Sequence, residues 1–484
     1  MNTFVAVDIG ASSGRLIKSQ FINGKIEMTE IHRFKNGFTL IDGHDRWDID
    51  YLVEEVLKGL AILKQQGVAE CFVGIDTWAV DYCLLDANEQ LIEQPIAYRD
   101  ARTDQAVQAF SKQMSLAKLY EKTGIQIQPF NTIFQLFVEE PEKLAQAETL
   151  LLIPDYIGYV LTGKKVMEKT NASTMQLLNA NTQTWDAELL EVLNLRQAML
   201  PPLVDAGSRL GDVQAEKFLD YDLPVTHVIN VASHDTASAV LGTPGAKADW
   251  AYISSGTWSL LGVETTVPNV SKEAFLANYT NEWGAHNTIR FLKNIMGMWL
   301  IQEVARMQNY AYSYPELAQL ASEVPAFQQL IDVNDERFLN PDNMITELQN
   351  YCRETNQLVP ETSGEIARCV YDNLALCYAV ELENLAILSG TNGKISQLHI
   401  VGGGSNNALL NQLTANAAQI TIEAGPGEAT AIGNLVMQMI GVGEISSMEE
   451  ARQLIADSFE IKSYQPESFD REILDKFKQF IKSK

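Results

Sequence analysis

Asp235 stands in VASHDTA (231–237), where a short apolar run gives way to small polar residues. A carboxylate between His234 and Thr236 has the chemistry of a general base. In phosphoryl transfer it orients the attacking hydroxyl and takes its proton late, so it need not be a strong base. The same residues would equally serve to cap a helix. Asp8 to Arg15, DIGASSGR, is a different kind of signal. A tight turn of small residues exposes backbone N–H groups that cradle phosphate oxygens. Ser12 and Ser13 add hydroxyl donors, and Arg15 offers a bidentate cation. Asp8, at the strand end, could hold Mg²⁺ directly or through its waters. SSGTWS (254–259) repeats the arrangement, with Thr257 beside a glycine. Either loop alone reads as an ordinary hairpin. The pair could grip one polyphosphate.

Two further segments carry chemistry. LHIVGGGSNN (398–407) runs from an apolar strand through three glycines towards a helix, so a flat or anionic ligand could approach the backbone closely near a helix N-terminus. It is no dinucleotide fingerprint, since Asn407 stands where the last glycine of G-x-G-x-x-G belongs, and the chain has no P-loop. GIDTWAVDY (74–82) sets Trp78 and Ala79 between Asp76 and Asp81. An aromatic face with flanking carboxylates suits a sugar; a buried Trp with its N–H satisfied is the plainer alternative. The five cysteines are too few and scattered for a disulfide framework, and the six histidines show no zinc spacing. Buried free thiols are expected, with a Cys352–Cys369 pairing left open.

Short apolar runs must position these residues, and they alternate with helical patterns throughout. Strands are expected around 4–7, 71–75, 225–231, 250–254 and 398–401. Helices are expected over 52–65, 105–122, 365–388 and 408–418. That order is α/β. The strand–turn–strand at 4–21 recurs near the midpoint, and LGTPGAKAD (241–249) between the halves reads as a linker. Two domains of similar design follow, 1–244 and 245–484. The Ala429–Gly443 stretch is apolar but too short to span a membrane, and Asn434 and Gln438 interrupt it. With 36 basic against 62 acidic residues the net charge is −26, which disfavours nucleic acid and anionic membranes as partners but not a small anion held locally. No signal sequence is apparent, so a cytoplasmic location is expected.

Taken together, these segments resemble the FGGY family of carbohydrate kinases, in the sugar kinase/Hsp70/actin superfamily. The resemblance rests on VAVDIGASSGR (5–15), GIDTWAVDY (74–82), AYRDAR (97–102), ASHDTASAV (232–240), TNEWGAHN (280–287), SSGTWSL (254–260), LKNIMGMWL (292–300) and LHIVGGGSNN (398–407). It implies two actin-like, ribonuclease-H-like domains flanking a catalytic cleft. It implies ATP-dependent phosphorylation of a sugar hydroxyl, the 1-hydroxyl of L-rhamnulose being the expected acceptor, with MgATP and a small sugar as partners and neither nucleic acid nor membrane. L-fuculose and xylulose kinases are rivals, as is a non-catalytic actin/Hsp70-like ATPase module. By the resemblance, the catalytic aspartate is Asp235, and the sugar contacts are Ala79, His234, Thr236 and Asn294, with Trp78 beside them. The nucleotide contacts are Ala11, Ser12, Ser13, Gly14, Arg15, Thr257, Gln302 and Gly403, and Asp8 is near Mg²⁺. The family motif usually has glycine where this chain has Ala79.

Overall fold

Phe4–Ile9 is buried along almost its whole length, as a strand covered on both faces must be. It pairs antiparallel with Ser13–Ile22 and parallel with Glu70–Thr77. In the computed structural model, which describes residues 2–245, 249–390 and 393–483, the chain divides into two compact units. Residues 246–248 of the expected linker lie outside the described residues. Unit 1 comprises 1–244, 264–291 and 429–458; unit 2 comprises 245–263, 292–428 and 459–484.

The unit 1 sheet runs Arg209–Asp212, Val225–Ile229, Glu70–Thr77, Phe4–Ile9, Ser13–Ile22, Lys25–Lys35. A hairpin is thus followed by two parallel strands and one antiparallel strand. The strands of unit 2 repeat the pattern. Trp250–Ser255 makes a hairpin with Ser259–Thr265, runs parallel to Gln397–Val401, which runs parallel to Thr421–Ala424, and Lys462–Tyr464 closes antiparallel. The repeat visible in the sequence is therefore a repeat of topology. In each unit the hairpin turn carries the glycine and hydroxyl residues.

The units do not follow chain order as two uninterrupted halves. The Ala429–Gly441 helix packs in unit 1 because its polar residues find partners there: Gln438 Nε2 donates to the Val5 carbonyl at 2.9 Å, and Asn434 Nδ2 to Asp76 at 2.6 Å. It meets the Asp235–Leu241 helix at backbone distance. A Cβ on Gly433 would stand 1.7 Å from the Ser238 carbonyl oxygen, and one on Gly242 2.0 Å from that of Ala429. Residues 264–291 join unit 1 through Asn281, which donates to the Gly124 carbonyl at 3.0 Å, and the Trp283 N–H, which donates to Ser173 Oγ at 2.9 Å.

The expected single helix over 105–122 is two, Ala106–Phe110 and Leu116–Thr123, because Ser115 turns out of the helix and caps the second. The long helix Ser363–Leu388 starts at a capping box of Thr362 and Glu365 and is buried nearly all round. All five cysteines are free and buried. Among the described residues no helix is long and apolar enough to cross a membrane.

Candidate active site

In unit 1 the candidate residues Asp8, Arg15 and Asp76 gather at one end of the parallel strands. Strand register sets Asp8 directly beside Asp76 on one side and Arg15 on the other. Arg15 answers with a two-pronged contact, its Nε and Nη2 reaching Asp8 Oδ2 at 3.1 and 2.9 Å. The expected phosphate cation is therefore already shared with the expected metal-side carboxylate. The Gly10–Ser13 turn closes by the Gly10 N–H on the Ser13 carbonyl at 2.9 Å and is braced by Asn36, whose Nδ2 donates to the Gly10 carbonyl at 2.8 Å. Among the described residues, the N–H groups of Ala11 and Ser12 make no hydrogen bond. They remain available to an anion.

Asp76 is fully buried, and burial pushes its carboxyl well above the usual carboxylate range. Asp8 and Asp235 push the same way, against the Asn434 hydrogen bond. Asp76 Oδ1 has no partner among the described residues. A surplus of carboxylate around an orphaned oxygen fits a cation. Mg²⁺ needs only one or two protein carboxylates when phosphates and waters complete its shell, so Asp8 and Asp76 suit that role.

Asp235 opens the Asp235–Leu241 helix without being its N-cap, which is His234. The plain capping reading therefore does not account for it. Its Oδ1 accepts from the Thr236 N–H at 2.5 Å and Thr236 Oγ1 at 3.1 Å, and His234 Nε2 lies 3.4 Å away. Oδ2 makes no hydrogen bond among the described residues, and the side chain is 35% exposed. One oxygen is pinned and the other is open. The preceding Ser233 is held by Glu168, whose Oε2 accepts from its N–H and Oγ, both at 3.0 Å. The Thr77 N–H donates to the Ser233 carbonyl at 2.9 Å, tying the 74–82 motif to the Asp235 loop.

Within that motif Asp81 is the hub. Its Oδ2 accepts from Trp47 Nε1 at 2.7 Å, Trp78 Nε1 at 2.9 Å and the Tyr98 N–H at 3.1 Å; Oδ1 accepts from Gln135 Nε2 at 3.0 Å. Burial outweighs these donors and pushes its pKa up to about 6. Trp78 is therefore buried and spends its N–H inside the protein, as the plainer alternative has it. Val80, β-branched, sits at φ 68°, and the Asp81 N–H bonds the Ala79 carbonyl at 2.9 Å in a three-residue turn. Such strain needs a surrounding that enforces it; Thr132 Oγ1 and Gln135 Nε2 supply it by donating to the Val80 carbonyl at 2.6 and 3.3 Å. The turn leaves Ala79 half-buried at its corner.

Unit 2 gathers a second set. Gly256 and Thr257 are exposed at the hairpin turn, and the Trp299 N–H donates to the Thr257 carbonyl at 2.9 Å, which ties the Trp299–Met307 helix, and Gln302 on its first turn, to that loop. A Cβ on Gly402 would meet the Ser255 carbonyl oxygen at 2.8 Å, and one on Gly404 would meet Ser255 Oγ at 1.9 Å, whereas nothing lies within 4 Å of one on Gly403. The outer glycines are needed for packing and the middle one faces open space. Asn294, on the Ile289–Ile295 strand, also belongs to unit 2.

The sequence assigned no role to Asn434, Gln438, Glu282 or Arg290. The first two had a signal: polar residues one turn apart on an otherwise apolar helix are buried donors seeking partners.

The FGGY family of carbohydrate kinases matches by its N-terminal domain over residues 3–242 and by its C-terminal domain over 251–442. A relative from Enterococcus faecalis named Rhamnulokinase is 66% identical over 99% of this chain and 97% of its own length. One of the same name from Lactiplantibacillus plantarum is 51% identical over 100% of this chain and 99% of its own. In fold, the chain is similar to a ligand-bound xylulose kinase from Lactobacillus acidophilus, with TM-score 0.79, 19% identity and coverage of 100% of this chain and 97% of that one. It is similar also to Plasmodium falciparum glycerol kinase with ADP, with TM-score 0.78, 17% identity and coverage of 100% and 97%. With both domains matched along nearly the whole sequence, this chain belongs to the FGGY family of carbohydrate kinases, phosphotransferases with an alcohol acceptor and ATP as co-substrate.

Proposed function

We propose that this chain transfers the terminal phosphoryl group of ATP to the 1-hydroxyl of L-rhamnulose, giving L-rhamnulose 1-phosphate and ADP in rhamnose catabolism. The observation that carries the substrate choice is 66% identity, along 99% of the chain, to a relative named Rhamnulokinase.

Asp235 is the general base. Thr236 and His234 hold Oδ1, so Oδ2 is left to receive the hydroxyl proton. As the sugar oxygen bonds to the γ-phosphorus, the bond from that phosphorus to the bridging oxygen breaks and ADP leaves; the proton on Asp235 then passes to solvent. His234, Thr236 and Ala79 are the ketose contacts of unit 1, where Trp78 backs the Ala79 turn as a wall, and Asn294 is the sugar-side residue of unit 2. The phosphates take the free N–H groups of Ala11 and Ser12 and the hydroxyls of Ser12 and Ser13, with Gly14 and Arg15, in unit 1. Thr257, Gln302 and Gly403 are the nucleotide contacts of unit 2. Asp8, with Asp76, would hold Mg²⁺, which when bound supplies positive charge to the phosphate oxygens.

A coupled ADP-release assay over L-rhamnulose, L-fuculose, D-xylulose and glycerol tests this. The highest kcat/KM is expected on L-rhamnulose, with the product phosphate on O1 by NMR. A tenfold preference for another ketose would move the substrate, and ADP release that no sugar stimulates would overturn the kinase reading.

A further inference from the structure

Capping alone does not account for Glu168. It ends the short Met167–Glu168 strand and stands at the N-cap of Lys169–Ala172, a single helical turn. The side chains favoured at such a position are Ser, Thr, Asp and Asn, whose short reach suits the first free N–H groups. Glu168 caps from one methylene further out. Its Oε1 accepts from the Thr170 N–H at 2.9 Å, and its Oε2 from Thr170 Oγ1 at 2.6 Å and the Asn171 N–H at 3.3 Å. The extra length brings Oε2 within 3.0 Å of both the N–H and Oγ of Ser233, 65 positions along the chain. The carboxylate is buried, and the Glu168 N–H donates to Asp155 Oδ1 at 3.1 Å, so its backbone is held as well.

Ser233 is the corner at which the chain leaves the Val225–Ile229 strand for the helix that Asp235 opens. Thr236 pins Asp235 Oδ1, but Thr236 belongs to the same helical turn. It fixes the carboxylate relative to the start of the helix and not relative to the sheet. The second constraint has to come from outside the segment. The Thr77 N–H supplies part of it, on the Ser233 carbonyl at 2.9 Å, and Glu168 takes the N–H and the hydroxyl of the same residue. We propose that Glu168 is a positioning residue for Asp235: by holding Ser233 it sets the angle at which the helix leaves the corner, and with it the direction in which Oδ2 faces the sugar hydroxyl.

The kinetic part of this inference rests on the kinase reading above; the hold on Ser233 does not. Glu168→Asp separates the two duties of the side chain, since aspartate is a favoured helix cap but falls one methylene short of Ser233. Hydrogen exchange read by mass spectrometry is expected to quicken about tenfold or more in the peptide around Ser233, and to stay within about twofold of wild type around Thr170. With L-rhamnulose, kcat is expected to fall about tenfold to a hundredfold, with the KM for ATP within about twofold. In the Asp235→Asn background the same substitution should cost less than about twofold in kcat, because it acts only through the base. Wild-type kcat or unchanged exchange around Ser233 in Glu168→Asp is what a helix cap and nothing more would give, and either overturns the proposal. So does an undiminished loss in the Asp235→Asn background. Ser233→Ala, which removes one of the two donors, should behave as a weaker Glu168→Asp; should Glu168→Asp not fold, Ser233→Ala and its cycle with Asp235→Asn decide. If wild type turns over no sugar, the kinase reading falls while exchange still tests the hold on Ser233.

Discussion

Replacing Asp81 by Asn should make the stability of unit 1 less dependent on pH, and by a calculable amount. Asp81 is 1% exposed, and burial lifts its pKa from 3.8 to about 6 despite the donors from Trp47, Trp78, Gln135 and the Tyr98 N–H. Below the unfolded value both states hold the proton. Between the two values the unfolded carboxyl releases its proton while the folded one keeps it, so unfolding stability falls as pH rises. At about 1.4 kcal/mol per pH unit the interval is worth about 3 kcal/mol, all of it lost by neutral pH. The substituted side-chain amide does not titrate. Its oxygen can accept the three donors now on Oδ2, but its NH₂ would face the NH₂ of Gln135. Gln135 cannot turn over freely, since its Oε1 accepts from Arg102 Nη2 at 2.9 Å. That conflict costs about 1–3 kcal/mol at every pH. The variant should therefore be less stable than wild type near pH 4, with the gap narrowing by about 3 kcal/mol towards pH 7. Urea titrations followed by tryptophan fluorescence at half-unit pH steps measure the gap directly. Parallel curves for the two proteins would refute the burial argument for Asp81.

Three further outcomes follow from the same geometry. Asp235→Asn should lower kcat by about a hundredfold to ten-thousandfold while the KM for ATP stays within about twofold, as read by ADP release. Gly433→Ala would place a methyl 1.7 Å from the Ser238 carbonyl oxygen and should cost about 3 kcal/mol or more in chemical denaturation, whereas Gly403→Ala, with nothing within 4 Å, should change stability by less than about 0.5 kcal/mol but raise the KM for ATP. Asn434→Leu removes the 2.6 Å hydrogen bond to buried Asp76 and leaves Gln438 without its side-chain acceptor, so a loss of about 2–3 kcal/mol in thermal or urea unfolding is expected.

Both hairpins and the residues at their turns were legible in the sequence because a turn is local: glycine and hydroxyl residues between two apolar runs leave few alternatives. Asp235 was legible for the same reason, as a strand-to-helix corner. The state of its two oxygens was not, because Oδ1 lies beside the His234 imidazole, whose other ring nitrogen meets Glu282 and Arg290, far along the chain. The sequence left Trp78 open between a sugar platform and a buried indole, because nothing nearby announces Trp47, which contributes the ring 4.3 Å from it and shares Asp81. The helix Ala429–Gly441 carried its clue openly, in Asn434 and Gln438 four residues apart. What the spacing could not reveal was the partner, since Asp76 lies 358 positions away. Interruptions of an apolar run are best read as demands for a buried acceptor.

A net charge of −26 and a site meant for polyphosphate pose an electrostatic problem, and the local arrangement sharpens it. Asp8, Asp76 and Asp235 share one end of the unit 1 sheet, and beyond its burial Asp8 and Asp235 both raise the cost of charge on Asp76. The nearest arginines do not offset them freely: Arg15 is held on Asp8 and Arg290 on Glu282. A triphosphate entering such a field alone would meet repulsion that a few N–H groups cannot overcome, because neutral donors contribute about half of what charged ones do. The same field attracts a cation, and the unpartnered oxygen of Asp76 marks where the deficit is greatest. Nucleotide affinity should therefore depend on a divalent ion far more than on Arg15. Isothermal titration with ATP in excess EDTA is expected to show binding at least about tenfold weaker than with Mg²⁺, whereas Arg15→Gln in Mg²⁺ should lose less than that; equal ATP affinity with and without the metal would show that the acidic cluster is neutralised by some other means.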